Sequence, residues 1–268
     1  MSEDYCDVLA SMLGGIGFDS FEGDDDGLWG YVQTSLYDEE TVKELLSSFP
    51  FEGVKVDFRS EEMPREDWNA EWEKSFEPIS VSDLVYIHDD RHEKSQTALY
   101  DILICPRMAF GSGSHATTRM MLRLLLEHGA LYGKRVLDVG CGTGILGIGA
   151  LKGGCSHLTA IDIDNDSVEN TKENLALNEF EGQEVLEGDI SVVPSAALYD
   201  IVLANIHLNI HLALMGDYVK HLKSGGMLFL SGFYTQEAEA LEKAAARYGL
   251  KLKEEATEDG WEAMYFEL

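Results

Sequence analysis

Three observations predict an α/β fold, a mostly parallel sheet preceded by a smaller α+β module. Strand-like and helix-like segments alternate from residue 135 to about 248, as repeated strand–helix–parallel strand units do. One of those strands, Val136 to Val139, runs straight into a glycine-rich turn and a small-residue helix. The first 60 residues follow another order: helix, strand, strand, helix, strand. The expected boundaries are an N-terminal module over 1–62, a linker helix over 63–78 and the larger domain over 79–268.

Residues 2–13 predict the first helix. Ser2 can cap it, Glu3 and Asp4 suit its positive end, and Tyr5, Val8, Leu9, Met12 and Leu13 share a face. Gly14 to Phe21 reads as a turn into a strand, Gly23 to Gly27 as an acidic loop, and Leu28 to Gln33 as a second strand. Asp38 to Phe49 is an amphipathic helix with an acidic first turn. Val54, Val56 and Phe58 alternate with Lys55 and Asp57, as a half-buried strand does. The order looks like a ferredoxin-like module missing its first strand. Pro64 then opens the linker helix, where Trp68, Trp72 and Phe76 form one packing stripe at i, i+4 and i+8. Val81 to His88 and Thr97 to Ile104 read as an antiparallel pair around the charged tract Asp89 to Lys94.

Met108 to Thr118, rich in glycine and hydroxyls, leads into an amphipathic helix from about Thr118 to His128. Its N–H and O–H donors suit an anion such as a carboxylate. Beyond the glycine turn, Leu158 to Asp162 is a strand ending in acid, and Asp166 to Leu177 is a helix. Glu184 to Asp189 is a third strand and its mouth. Tyr199 to Ala204 is a fourth, ending at Asn205, with a helix on to about Leu222. Ser224-Gly-Gly226 turns into Met227 to Ser231. A helix over 236–248 and strands over 250–255 and 261–267 close the sheet as an antiparallel hairpin. His207 and His211, at i, i+4, read as helix surface, because two histidines are too few for a metal site. No metal is expected.

The composition narrows the function. Apolar residues make up 45% of the 268, enough for a full core, and the formal net charge is −29. Residues 1–80 hold 21 acidic and 5 basic side chains, so −16 of that charge sits there. Phosphate contacts need Lys and Arg, so direct nucleic-acid binding is disfavoured, whereas a basic protein partner would be attracted. No run approaches a membrane span, and the first residues lack the pattern of a signal peptide. Cys6, Cys105, Cys141 and Cys155 show no ligand spacing. Free thiols in a reducing cytoplasm are expected.

The chemistry centres on the glycine turn. Gly140, Gly142 and Gly144 let the backbone approach a ligand closely, and the following helix start offers free N–H groups. Gly142-x-Gly144-x-x-Gly147 satisfies the dinucleotide fingerprint, with Asp162 placed 20 residues beyond Gly142. By itself that match leaves a nicotinamide dehydrogenase open. The whole string Asp138-Val-Gly-Cys-Gly-Thr-Gly144, with an acid inside the strand end, resembles motif I of the class I methyltransferases, which bind S-adenosylmethionine (SAM) on a Rossmann-like sheet. The stretches Ala109-Phe-Gly-Ser-Gly-Ser-His-Ala-Thr-Thr118, Val139-Gly-Cys-Gly-Thr-Gly-Ile-Leu146, Ile161-Asp-Ile-Asp164 and Leu203-Ala-Asn-Ile206 together resemble the PrmA family. Trp68 to Phe76 and Ser231-Gly232 also look like family segments.

The resemblance implies a SAM-dependent enzyme that methylates amino groups, lysine side chains and the α-amine, of a large-subunit ribosomal protein. It implies that the acidic N-terminal module recognises that protein. Carried over by position, cofactor contacts fall on Thr118, Gly140, Asp162 and Asn205. Gly142 and Gly144 complete the turn, Asp138 faces the amino group of SAM, and Asp189 lies near the adenine. Asn205 is the candidate for orienting the acceptor amine. Ala116 stands where the family has proline, which implies a looser loop. Two other readings stay open here: a methyltransferase of small molecules, and a SAM-binding module without turnover.

Overall fold

The structure is a computed structural model, and it describes residues 3–268 except 19, 24–26, 33, 35, 48, 50, 52, 53, 55, 62–75, 106–110 and 129. The predicted linker helix, the acidic loop tip and the start of the 108–118 loop therefore lie outside the described residues. The chain divides into two compact units, Met1–Glu66 and Asp67–Leu268.

In the first unit, α1 (Glu3–Gly14) and α2 (Glu39–Ser47) accompany a hairpin of β1 (Ser20–Gly23) and β2 (Leu28–Tyr31). Asp38 starts α2 by accepting the Thr41 N–H at 2.9 Å, as an N-cap acid does. Leu9 and Val42 are buried, and Tyr5, Phe49 and Phe51 form an aromatic cluster with centroids 4.7–6.2 Å apart. The strand expected over 54–58 does not form at its described positions. Alternation makes a strand only beside a neighbour with free ladder groups, and among the described residues the hairpin has no third member.

The second unit opens with β3 (Ile79–Val81), β4 (Val85–His88) and β5 (Tyr100–Leu103). β4 and β5 are parallel, Val85 opposite Tyr100 and His88 opposite Leu103, which corrects the antiparallel pairing expected from sequence. The charged tract is the cause. Asp89, buried, accepts the Arg91 N–H at 3.1 Å, Arg91 Nε at 2.6 Å and His92 Nδ1 at 2.5 Å. The tract so folds around one carboxylate instead of making a tight hairpin, and the chain returns to the start of β4, where Tyr100 N–H meets the Leu84 carbonyl at 2.8 Å.

A seven-stranded sheet follows: β6 (Arg135–Val139), β7 (His157–Asp162), β8 (Glu184–Glu187), β9 (Tyr199–Asn205), β10 (Leu222–Tyr234), β11 (Lys251–Glu258) and β12 (Trp261–Glu267). Its order is β11-β12-β10-β9-β6-β7-β8, with β12 antiparallel to both neighbours and the rest parallel. The helices are α3 (Ala116–His128), α4 (Ile145–Lys152), α5 (Asn165–Leu177), α6 (Leu208–His221) and α7 (Ala238–Arg247). Two apolar cores result. One joins α3, α4 and Leu175 of α5 to one face of the sheet, and the other joins α6 and α7 to the opposite face. β12 serves both, with Ala263 in the first core and Met264 and Phe266 in the second. Among the described residues no helix is long and apolar enough to cross a membrane. Strand order reverses between β6 and β9, so the crevice beyond their carboxyl ends is the topological switch point, where open α/β sheets bind ligands.

Candidate active site

The glycine turn leaves β6 at that switch point. Gly140 and Cys141 both donate to the Ile161 carbonyl, at 2.8 and 3.0 Å, which pins the turn against β7. Gly140 has φ +74°, and a Cβ there would meet Ile206 Cγ2 at 2.6 Å. At Gly144, φ +78°, a Cβ would meet Thr171 Cγ2 at 2.9 Å. Both positions need glycine. Gly142 completes the turn by donating its N–H to Asp162 Oδ2 at 2.9 Å, while Asp162 Oδ1 accepts from Asp164 N at 3.0 Å. The carboxylate of Asp162 is thus aimed at the turn and remains half-buried at the crevice.

Asp138 lies deeper, 1% exposed. Its Oδ2 accepts the Gly147 N–H at 3.0 Å, and its Oδ1 is buried with no partner. Burial pushes its pKa up to about 7, the nearby Asp162 charge adds to the rise, and the Gly147 N–H opposes it. A carboxylate held this way is short of one positive or hydrogen-donating partner.

The 111–118 loop covers the turn. Thr143 Oγ1 donates to the Gly111 carbonyl at 2.7 Å, and Thr117 and Thr118 are buried at the start of α3. Asn205, at the end of β9, donates from Nδ2 to Thr117 Oγ1 at 3.2 Å, with Thr118 Oγ1 at 3.5 Å. Its Oδ1, like that of Asp138, is buried and unpartnered. A Cβ on Gly232 would lie 2.4 Å from the Ile206 carbonyl, so glycine lets β10 pass close beside Asn205. His211 supports the same corner. It is fully buried, with Nε2 2.9 Å from the Ser231 carbonyl and Nδ1 3.3 Å from the Tyr218 hydroxyl. The surface placement expected for it is therefore wrong, while His207 is exposed. The i, i+4 spacing gave no sign that the chain turns His211 inward to satisfy a strand carbonyl. Burial holds it neutral, with a pKa down to about 4.

Of the residues expected from sequence, Asp138, Gly140, Gly142, Gly144, Asp162, Thr118 and Asn205 gather around the crevice. Asp189 stands apart: it is exposed at the mouth of the third strand and spends Oδ1 on the Ser191 N–H at 2.9 Å. That side-chain and backbone bonding to Ser191 holds its carboxyl below the usual range. Sequence reasoning missed a ladder of asparagines on α5. Asn174 donates to the Thr143 carbonyl at 2.9 Å and accepts the Cys105 N–H at 2.7 Å. Asn178 accepts the Leu103 N–H at 3.1 Å and Asn170 donates to the Cys105 carbonyl at 3.3 Å. The signal was present as asparagine at 170, 174 and 178, spaced i, i+4, i+8 along the helix and its C-terminal cap, on the buried side that also holds Ser167 and Thr171. Ile163, 77% exposed beside Asp162, was also passed over. Cys141, in the turn itself, is buried; burial, with Asp138 adding, raises its thiol pKa, and Thr171 Oγ1 lies 3.3 Å from its sulfur.

The family model described as "Ribosomal protein L11 methyltransferase (PrmA)" matches residues 22–268. A Bacteroides fragilis protein of that name is 42% identical over 268 residues, all of this chain and 95% of its own length. One from Porphyromonas gingivalis is 41% identical over 97% of this chain and 90% of its own. Among solved structures, the ribosomal protein L11 methylase of Lactobacillus delbrueckii subsp. bulgaricus superposes with a TM-score of 0.65, at 26% identity, over 71% of this chain and 98% of that one. A T. thermophilus 16S rRNA methyltransferase, solved with AdoMet and guanosine, shares the fold alone, at a TM-score of 0.50 and 20% identity over 60% of this chain and 45% of that one. With a family match over nearly its whole length and full-length relatives above 40% identity, the chain belongs to the ribosomal protein L11 methyltransferase (PrmA) family.

Proposed function

We propose that this protein transfers methyl groups from SAM to amino groups, lysine side chains and the α-amine, of ribosomal protein L11. The observation that carries the reading is a pair of buried, unpartnered oxygens, Asp138 Oδ1 and Asn205 Oδ1, at the ends of the adjacent strands β6 and β9. One is a carboxylate suited to an ammonium, and the other is an amide oxygen suited to an amine N–H.

The residues present fit SAM. Asp138 would take its α-ammonium, the Gly140–Gly144 turn would lie against its amino-acid end, and Asp162 would accept the ribose hydroxyls. Ile163 offers an exposed apolar face for the base, Asp189 stands at the edge of that region, and Thr118 closes the crevice. When bound, the sulfonium supplies an electrophilic methyl group. The acceptor lysine must first lose a proton, since an ammonium has no lone pair and its ordinary pKa is about 10.4. Desolvation in the crevice lowers that value. The free amine would then take the methyl carbon of bound SAM, with the electron pair of the broken carbon–sulfur bond left on sulfur. Asn205 contributes alignment, accepting one N–H through Oδ1 so that the lone pair points at the methyl group.

The acidic N-terminal unit is read as the docking surface for the basic acceptor protein. Mass spectrometry of L11 after incubation with the protein and SAM tests the whole reading. New methyl groups on lysine or the α-amine are expected. Methylation of small amines with L11 untouched would favour a small-molecule enzyme, SAM binding without turnover a non-catalytic module, and preference for NADH in the same titration a dehydrogenase.

A further inference from the structure

We propose that His115, acting through Thr117, fixes the orientation of the Asn205 amide so that its oxygen, not its nitrogen, faces the acceptor amine. The inference rests on the amine-methylating role given above and adds His115 and Thr117 to it as positioning residues. The Thr117 backbone N–H points at His115 Nδ1 at 3.4 Å. A backbone N–H can only donate, so Nδ1 is an acceptor and the imidazole proton sits on Nε2. The Thr117 hydroxyl lies 2.8 Å from the same Nδ1. Its single hydrogen is therefore given to His115, and toward Asn205 the hydroxyl has only lone pairs to offer.

Asn205 meets that oxygen at 3.2 Å. Only the amide nitrogen can donate to it, so Nδ2 turns toward Thr117 and Oδ1 to the opposite side of the amide, where it is buried without a partner. The orientation matters chemically. An amide N–H facing the acceptor would hydrogen-bond the lone pair that must attack, whereas the amide oxygen takes an N–H and leaves that pair free. The His115 ring is itself held, edge-on to Trp261 at 4.8 Å between centroids, and Trp261 stacks on Tyr234 at 4.2 Å. Burial and the neighbouring Arg119 charge keep the imidazole below its ordinary pKa, hence neutral at pH 7. An exposed histidine with a free tautomer would leave the amide free to flip.

Two measurements test this. The first needs no turnover: 15N NMR of the imidazoles at pH 7.5 in the full chain, with His115 assigned by substitution, should show Nδ1 unprotonated. A protonated Nδ1 overturns the proposal. The second is single-turnover methyl transfer to saturating L11 alongside SAM affinity. His115→Ala and Thr117→Val should each slow transfer by about tenfold or more, the scale of a misaligned reacting group, with SAM affinity near that of the unsubstituted protein. His115→Asn, whose side-chain oxygen falls where Nδ1 was, and Thr117→Ser should recover most of that loss. Transfer in His115→Asn as slow as in His115→Ala, or a loss explained wholly by weaker SAM binding, overturns the positioning role while leaving the amine-methylating reading intact. An unsubstituted protein that methylates no amine of L11 overturns both.

Discussion

At the scale of single residues, Asp138 is a buried carboxyl whose charged form costs stability. Its carboxyl pKa is raised from 3.8 to about 7, chiefly by burial. Below 3.8 both folded and unfolded chains hold the proton and no penalty exists. Above about 7 both have lost it, and the folded state carries the full cost of a buried charge, on the order of 4 kcal/mol. Asp138→Asn is therefore expected to raise the melting temperature of the SAM-free protein at pH 8 and to change it much less at pH 4, read by scanning calorimetry. The same substitution should weaken SAM. In the unsubstituted protein, SAM affinity should climb as pH rises through about 7, and flatten where the ligand's own α-amino group begins to deprotonate near 8. Titration calorimetry across pH 6 to 8 checks the climb, and a flat profile would remove Asp138 from the ammonium site. Asp162→Ala should weaken SAM by about 1.5–3 kcal/mol, the worth of hydrogen bonds to a charged group.

At the scale of elements, α5 holds the glycine turn and the extension of β5 together through its asparagines. Asn174→Ala removes one hydrogen bond from the Cys105 N–H and another from the Thr143 carbonyl. The expected loss is about 1–3 kcal/mol, at about 0.5–1.5 kcal/mol for each hydrogen bond, and urea unfolding measures it. Elements of this kind mark the limit of the sequence reading. The strand–turn–helix around Asp138 was legible because β-branched runs and glycines act locally, and six strands of the large sheet follow from the same patterning. The β4–β5 pairing was not, because its direction depends on one buried carboxylate, Asp89, gathering donors from its own loop. His211 was misread for a similar reason: helical spacing tells which residues share a face, and not what that face meets. Asn205 was legible as a strand-end residue, but the hydroxyls it meets lie in the first turn of α3, 87 and 88 positions away.

For the whole molecule the governing quantity is charge. With a net −29, and −16 of it within residues 1–80, the surface attracts a basic partner at long range. Such attraction is screened as the Debye length falls from about 10 Å at 0.1 M salt to about 3 Å at 1 M. KM for L11 should rise steeply over that range while the rate at saturating L11 changes little, in steady-state assays with purified L11. A chain lacking residues 1–66 should still bind SAM, as titration calorimetry would show, and fail to methylate L11. Equal L11 methylation with and without that unit, at both salts, would mean that it is not the recognition surface.

The thiol of Cys141 makes the glycine turn its own reporter. Buried and held protonated beside Asp138, it is inert to alkylation while the turn is closed, because only thiolate reacts. Modification of Cys141 then counts excursions in which the turn opens, in the way that amide exchange counts local unfolding. Cys6 and Cys105, only partly buried, serve as internal clocks for the reagent. A ligand that clasps the turn should slow labelling of Cys141 in proportion to its occupancy and leave Cys6 unchanged, so peptide mapping after timed alkylation gives a binding curve without any catalytic readout.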